Sequence, residues 1–349
     1  MDIALLKDTA QKMVARGKGI LAADESHPTI GKRFAALGIE NSEETRRTYR
    51  QMFFHSPGIE ECISGVILFD ETLRQSDDAG TPFPQFMNSK GIIPGIKVDT
   101  GAKDLAGHSG EKVTEGLDGL RDRLAEYFEL GARFAKWRAV ITIGKDIPSD
   151  ACYMANAHSL ARYARLCQEA SIVPIVEPEV LMAGDHDIDI CDRVTTNALH
   201  STFSQLSEQG VLLDGIVLKP SMIIPGTGSQ PVDQETVASR TVDCLSRTVP
   251  NEVPGIAFLS GGQSDEDATG HLNAMNALGQ QPWNLTFSYG RALQATAMKT
   301  WAGKPENLSS ASAAFMRRAR CNSAASLGEW RAELARSTES ALLNAVEDT

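Results

Sequence analysis

Four polar residues recur at a nearly constant interval. Lys136, Glu177, Lys219 and Ser260 stand 41, 42 and 41 residues apart. Each lies in or at the end of a short apolar, β-rich run: residues 132–141, 172–177, 211–219 and 255–260. One strand, one helix and two loops fit such an interval. The intervening sequences do not resemble one another, so the period is structural and not a sequence repeat.

Four further runs have the same form, residues 17–24, 65–70, 92–99 and 283–290, each ending in polar residues. Helix-like stretches over residues 116–130, 151–170 and 189–209 separate some of the eight. Strands alternating with helices imply a parallel sheet, and eight of them imply a closed (β/α)8 TIM barrel of the α/β class. A barrel of this kind takes about 250 residues, more with insertions. The 349 residues here, with no Pro/Gly/Ser-rich linker, fit a single domain over 1–349. It would carry an N-terminal helix from Ile3 to Ala15 and a C-terminal helical extension over 306–349.

In such a barrel the functional side chains project from the C-terminal ends of the strands. Strand alternation puts Phe134, Lys136 and Arg138 on one face. By the same rule Ile175, Glu177 and Glu179 share a face, Val217 and Lys219 share one, and Ile20, Ala22 and Asp24 share another. If these are the inward faces, two lysines, an arginine and several carboxylates converge on one mouth.

Lys219 is the informative member. Desolvating an ammonium at the end of a central strand is costly, unless the amine is wanted free to attack a carbonyl. The plainer alternative is a lysine that marks the strand end and points into water. Lys136 could acidify Lys219 by adding a second cation, or could be an ion-pair partner of Glu177, and both can hold. Imine chemistry also needs proton carriers, for which Glu177, Glu179 and Asp24 are suited. Taken singly, Glu177-Pro178-Glu179 and Asp24-Glu25-Ser26 read more readily as structural, as helix caps.

Two loops have the composition of anion sites: Leu259-Ser260-Gly261-Gly262-Gln263-Ser264 after the seventh strand, and Ser288-Tyr289-Gly290-Arg291 after the eighth. Phosphate sites of this fold use those loops, although plain flexible loops before helices would look similar. Neither loop carries a nucleotide fingerprint. The net charge of −11 argues against nucleic acid or an anionic membrane as main partner. No run of about 20 apolar residues exists to span a membrane. The six cysteines (Cys62, Cys152, Cys167, Cys191, Cys244 and Cys321) show no metal-ligand spacing and read as reduced thiols. With no leader pattern at the N-terminus, a cytoplasmic location is expected. Of seven histidines only His27 closely follows a strand end, and Asp185-His186-Asp187 reads as solvated loop. No metal and no other cofactor is therefore expected.

Taken in order, these segments resemble class I fructose-bisphosphate aldolases, the Schiff-base type. They are Gly17 to Ser26, Gly65 to Leu73, Gly95-Ile96-Lys97-Val98-Asp99, Phe134 to Arg138, Pro174 to Glu179, Leu218-Lys219-Pro220, Phe258 to Gln263, and Phe287 to Gln294. The resemblance implies that Lys219 forms an imine with the keto carbon of a sugar phosphate. Glu177 would serve the carbinolamine steps, with Lys136 and Glu179 setting its environment, and Asp24 would take the hydroxyl proton during C–C cleavage. Ser260, Gly261, Gly262, Gly290 and Arg291 would hold the phosphate of the dihydroxyacetone-phosphate half. Lys32, Arg33 and Lys97 would face the aldehyde-side phosphate, with Arg138 at the same mouth. Thr29 keeps a hydroxyl where some members have serine. The resemblance further implies a homotetramer. Another Schiff-base aldolase or transaldolase of the same fold, or an inactive scaffold, are the rival readings.

Animal members end in a tyrosine that assists proton exchange, whereas Arg320 to Thr349 contains none. In that segment Leu327, Trp330, Leu334, Leu342 and Val346 fall near helical spacing, so an amphipathic docking helix without a tyrosine relay is expected.

Overall fold

The computed structural model describes residues 1–331 and contains ten strands. They are β1 (Gly19–Ala23), β2 (Ile63–Leu68), β3 (Ile93–Lys97), β4 (Gly101–Asp104), β5 (Lys112–Glu115), β6 (Phe134–Ile141), β7 (Val173–Val180), β8 (Val217–Leu218), β9 (Gly255–Phe258) and β10 (Asn284–Tyr289). Eight close into a parallel barrel in the order β1-β2-β3-β6-β7-β8-β9-β10, and β10 pairs back onto β1. The two remaining strands, β4 and β5, form an antiparallel hairpin between β3 and β6. This is the (β/α)8 architecture expected from the 41-residue period.

The barrel interior confirms the face assignments. Ile20, Ala22, Ile67, Phe134, Val173, Ile175, Val217 and Ala257 form one buried cluster. Their alternate neighbours, such as Leu21, Val66, Ala135, Val176 and Leu218, face the surrounding helices. Near the N-terminal ends of the strands the Phe134 ring takes the space that glycines leave. A Cβ on Gly95 would meet that ring at 2.2 Å, and one on Gly65 at 2.9 Å.

Helix Ile3–Met13 closes this end. Asp2 caps it by accepting from the Leu5 amide at 3.0 Å. Leu6, Ala10 and Met13 share one helical face, and with Val14 they join the interior cluster. Val14 lies so close to β9 that a Cβ on Gly255 would meet it at 2.6 Å.

Several boundaries differ from expectation. The run over 211–219 is extended only at Val217–Leu218, because Leu213–Gly215 turns as a 3-10 helix. Gln168 ties that turn down, donating to the Leu212 carbonyl at 2.8 Å and accepting from its amide at 3.0 Å. In contrast, β7 continues three residues past Glu177 despite Pro178. Val176 bonds toward β8 and Leu181 toward β6, so alternation puts the missing N–H of Pro178 on the β8 side, beyond the end of that strand. The helix expected from Gly116 begins only at Leu120, after Gly119 at φ 66°.

The last described helix spans Leu308–Ala325. Leu327 and Trp330 lie beyond its end, on either side of Gly328 at φ 75°, so they are not on a shared amphipathic helix. Trp330 packs on the core instead, and its amide donates to Asn273 Oδ1 at 2.8 Å. Leu334, Leu342 and Val346 lie outside the described residues. Among the described residues, no helix is long and apolar enough to cross a membrane.

The packing around Phe134 makes a testable demand. Gly95→Ala is expected to destabilise the protein by about 1–3 kcal/mol through overpacking. Combined with Phe134→Leu, it should cost less than the sum of the two single changes. Chemical denaturation of the four proteins checks this; additive effects would mean that the ring does not occupy the space above Gly95.

Candidate active site

At the C-terminal ends of the strands lies an open cavity of 670 Å³. Strand geometry delivers its charged floor. Asp24 follows β1, Lys97 ends β3, Lys136 and Arg138 point inward from β6, Glu177 and Glu179 from β7, and Lys219 follows β8. The Lys219 amide still bonds the Val176 carbonyl at 2.8 Å, which fixes the backbone from which its side chain enters. All of these side chains line the cavity, as do Thr29, Lys32, Arg33, Ser260, Gly261, Gly290 and Arg291. Gly262 alone among the expected residues does not, since it lies on the rear side of its loop.

The floor is one chain of ionic contacts. Lys219 Nζ lies 3.2 Å from Glu177 Oε1, and Lys136 Nζ lies 3.3 Å from Glu177 Oε2. Lys136 also donates to Asp24 Oδ2 at 3.0 Å. Lys136, Glu177 and Lys219 are each at most 5% exposed. Burial alone would favour the neutral form of Lys136, but Asp24 and Glu177 outweigh it and hold the ammonium well above the ordinary lysine range. Burial likewise raises Asp24, yet Lys136 and Lys219 prevail and bring it down to about 2. Lys136 is thus an ion-pair partner, one of the two roles open to it from sequence. Glu177 Oε2 is buried, and no hydrogen bond reaches it among the described residues. Its contact with Lys136 is therefore ionic and not a well-directed hydrogen bond.

The remaining cations divide into two kinds. Lys97 is held by Asp99 at 2.7 Å, Arg33 by Glu25 at 2.6 Å, and Arg138 by Glu179. Burial opposes the Arg138 charge, but Glu179 more than restores it, leaving the guanidinium above its usual range. Among the described residues, Lys32 and Arg291 have no carboxylate partner. Thr29, Lys32 and Arg33 lie on helix His27–Ala35 at spacings that put them on one face toward the mouth.

Opposite them, Gly261 at φ 61° and Gly262 at φ 102° bend the loop after β9. Gly290 caps helix Arg291–Trp301, whose first amides have no intrahelical acceptor and point toward the cavity end. The arrangement is suited to a doubly anionic ligand with a carbonyl between its charged ends.

The expected solvation of Asp185-His186-Asp187 holds for the two exposed aspartates and is corrected for the histidine. His186 is buried, with its carbonyl accepting from the Gly226 amide at 2.8 Å, and Asp187 caps the following helix at Ile190 N. His27 pairs with Glu71 at 3.1 Å. Among the described residues, no group of three or more His, Cys, Asp or Glu side chains has the arrangement of a metal site.

A family model described as fructose-bisphosphate aldolase class-I matches residues 5–347. The chain is 57% identical over 333 residues to a probable fructose-bisphosphate aldolase class 1 of Xanthomonas campestris pv. campestris, covering 95% of this chain and 100% of that one. It is 54% identical to the cytosolic fructose-bisphosphate aldolase 6 of Arabidopsis thaliana, covering 91% and 89%. A solved structure of fructose-bisphosphate aldolase from Plasmodium falciparum, in complex with TRAP and a small-molecule inhibitor, superposes with a TM-score of 0.93 at 49% identity. That match covers 94% of this chain and 95% of that one. The chain belongs to the class-I fructose-bisphosphate aldolase family.

Several residues around the site of this aldolase-family chain carried no motif. Gly101, Ala102 and Val140 line the cavity. Gly101 and Ala102 arrive on the β4–β5 hairpin, which interrupts the strand–helix rhythm. Arg50 is fully buried and donates to the Glu25 carbonyl at 2.7 Å and to Thr72 Oγ1 at 2.5 Å, bracing the loop that follows Asp24. One signal was present: Arg46, Tyr49, Arg50 and Phe53 share a helical face, and a charge on an otherwise core-facing stripe needs a partner.

Asp24 offers a pH test. Its folded-state value of about 2 lies below the ordinary 3.8. The stability it contributes is therefore present above that ordinary value and is lost as pH falls through about 2. A carboxyl-selective NMR titration is expected to place the midpoint near 2, and Lys136→Met should raise it toward or above the ordinary value. A midpoint near 4 in the unaltered protein would refute the Lys136 contact.

Proposed function

We propose that the chain reversibly cleaves fructose 1,6-bisphosphate into dihydroxyacetone phosphate and glyceraldehyde 3-phosphate through a Schiff base at Lys219. The observation that carries this reading is the buried contact chain Lys219–Glu177–Lys136–Asp24 at one barrel mouth.

In this reading Glu177, whose Oε1 lies 3.2 Å from Lys219 Nζ, takes the Lys219 proton and so frees the amine lone pair for the C2 carbonyl. The protonated Glu177 then gives a proton to the departing C2 hydroxyl, and loss of water leaves an iminium. Asp24, kept ionised by Lys136, accepts the C4 hydroxyl proton. As that O–H breaks, the C4 carbonyl forms, the C3–C4 bond breaks, and its electron pair moves into the iminium to give an enamine. Protonation at C3 and hydrolysis release dihydroxyacetone phosphate and restore the amine. Glu179 neutralises Arg138 beside Glu177, which keeps the local charge balanced.

In the same reading, Ser260, Gly261, Gly290 and Arg291 hold the dihydroxyacetone-side phosphate, with Gly262 shaping their loop from behind. Thr29, Lys32, Arg33, Lys97 and Arg138 face the other phosphate. The cytosolic naming of plant relatives supports a cytoplasmic location, and the family resemblance supports a homotetramer.

Borohydride added with dihydroxyacetone phosphate is expected to inactivate the enzyme and label Lys219, and EDTA should leave turnover intact. A label on another lysine, or activity lost to EDTA and restored by a divalent metal, would overturn the proposal. Two substitutions separate the roles. Asp24→Asn should abolish cleavage yet still permit trapping at Lys219, because the amide keeps the shape but takes no proton. Arg291→Ala should weaken phosphorylated substrate roughly 10- to 150-fold, the loss of a charge-assisted contact, read as a rise in KM.

A further inference from the structure

We infer that His271 is a positioning residue for the phosphate loop: acting through Gln263, it holds Ser260 and Gly261 forward against the substrate cavity. The inference rests on the functional reading above, which makes that loop a phosphate site.

The loop is a thin partition. Ser260 and Gly261 line the 670 Å³ cavity in front, while Gly262 and Gln263 line a second cavity of 460 Å³ behind, shared with Met182 and His271. The partition has room to retreat, and its two positive-φ glycines give it the backbone freedom to do so. Its ends are fixed. Leu259 donates to the Pro220 carbonyl at 3.2 Å, and Ser264 caps helix Asp265–Ala277 by accepting from Asp267 N at 3.0 Å.

Between those ends the Gln263 amide donates to the Ser260 carbonyl at 2.9 Å, but that bond lies within the loop and anchors it to nothing. The tie to the scaffold is the Gln263 side chain. Its Oε1 accepts from His271 Nδ1 at 2.6 Å, and its Nε2 makes only a weak 3.6 Å contact to Met222 Sδ. Oε1 has no proton, so the histidine must donate. Burial holds the ring below the usual histidine range against the pull of Asp267, so a neutral imidazole carries its one proton on Nδ1. His271 itself is 7% exposed on a helix that Arg318 and Tyr289 bond into the core. Losing the tie lets the loop sag away from Arg291, whose guanidinium lies against Gly262.

Without the tie, His271→Ala is expected to raise the KM for fructose 1,6-bisphosphate roughly 3- to 10-fold, the worth of one lost hydrogen bond. The dihydroxyacetone phosphate concentration giving half-maximal borohydride inactivation should rise equally, with kcat within about twofold. His271→Asn places an amide donor where Nδ1 stood and should return both to the parent values. Hydrogen–deuterium exchange of residues 259–264 without substrate should follow the same order, faster in the alanine variant and restored in the asparagine variant. An unchanged KM in a folded alanine variant overturns the inference, as does an asparagine variant as impaired as alanine. If the unaltered chain does not cleave fructose 1,6-bisphosphate, the functional reading fails. The clamp is then judged by calorimetric titration with inorganic phosphate, which must weaken in the alanine variant and recover in the asparagine variant.

Discussion

The pairing of Lys136 with Asp24 and Glu177 is the contact on which the rest of the barrel mouth depends. Two carboxylates and two ammonium groups, all buried but the partly exposed Asp24, lie there within hydrogen-bonding or ionic reach of their neighbours. Desolvating any of them alone would cost several kcal/mol, and removing one partner of such a set typically costs about 3–5 kcal/mol. Lys136 bridges both acids, so its loss would leave two carboxylates facing each other across the floor. The same bridge keeps Asp24 ionised and, with Lys219, gives each oxygen of Glu177 an ammonium neighbour. On the proposed reading, stability and chemistry thus draw on one residue, and neither can be altered without the other.

Such a cluster can be assembled because the barrel separates its two ends. Adjacent strands run about 4.8 Å apart, and every second side chain points inward. Below the cluster the inward positions are Ile, Val, Ala and Phe134, closed from beneath by helix Ile3–Met13. That apolar plug supplies the rigidity which the charged layer, rich in mutual repulsion if misplaced, cannot supply for itself. The Phe134-to-Lys136 step, two residues along one strand, is the whole distance between packing and chemistry.

That step also explains what was legible in the sequence. The period of the strand ends and the alternation within them are local properties, so the barrel, the inward faces and the convergence of Lys136, Glu177 and Lys219 follow from spacing alone. Boundaries were less legible. Pro178 reads as a strand stop, yet β8 ends early and leaves the proline nothing to pair with; that is a property of the neighbouring strand. Leu213–Gly215 reads as strand but is turned by Gln168, more than forty residues away. Gly101 and Ala102 reach the cavity only through a hairpin, and Arg50 acts through a backbone carbonyl, so neither leaves a motif. His186 reads as solvated between two aspartates but is covered by the loop after β8. Each miss is a tertiary contact overriding a local pattern.

The two ends of the cavity also differ in a way that spacing does not reveal. At one end, backbone amides, bent glycines and Arg291, which has no carboxylate partner among the described residues, stand ready for an anion. At the other, Lys97, Arg33 and Arg138 are already neutralised by Asp99, Glu25 and Glu179, and among the described residues Lys32 is the cation there without a carboxylate partner. A phosphate arriving at the first end gains its contacts outright. One arriving at the second gains Lys32 outright but must share the other cations with carboxylates, so its net gain is smaller, and it is felt most where a second anchor already holds the ligand in place. On the proposed reading, the first end dominates the affinity for dihydroxyacetone phosphate. The second contributes mainly when both phosphates are on one molecule, which favours holding the bisphosphate until the C3–C4 bond is broken and letting the aldehyde half leave first.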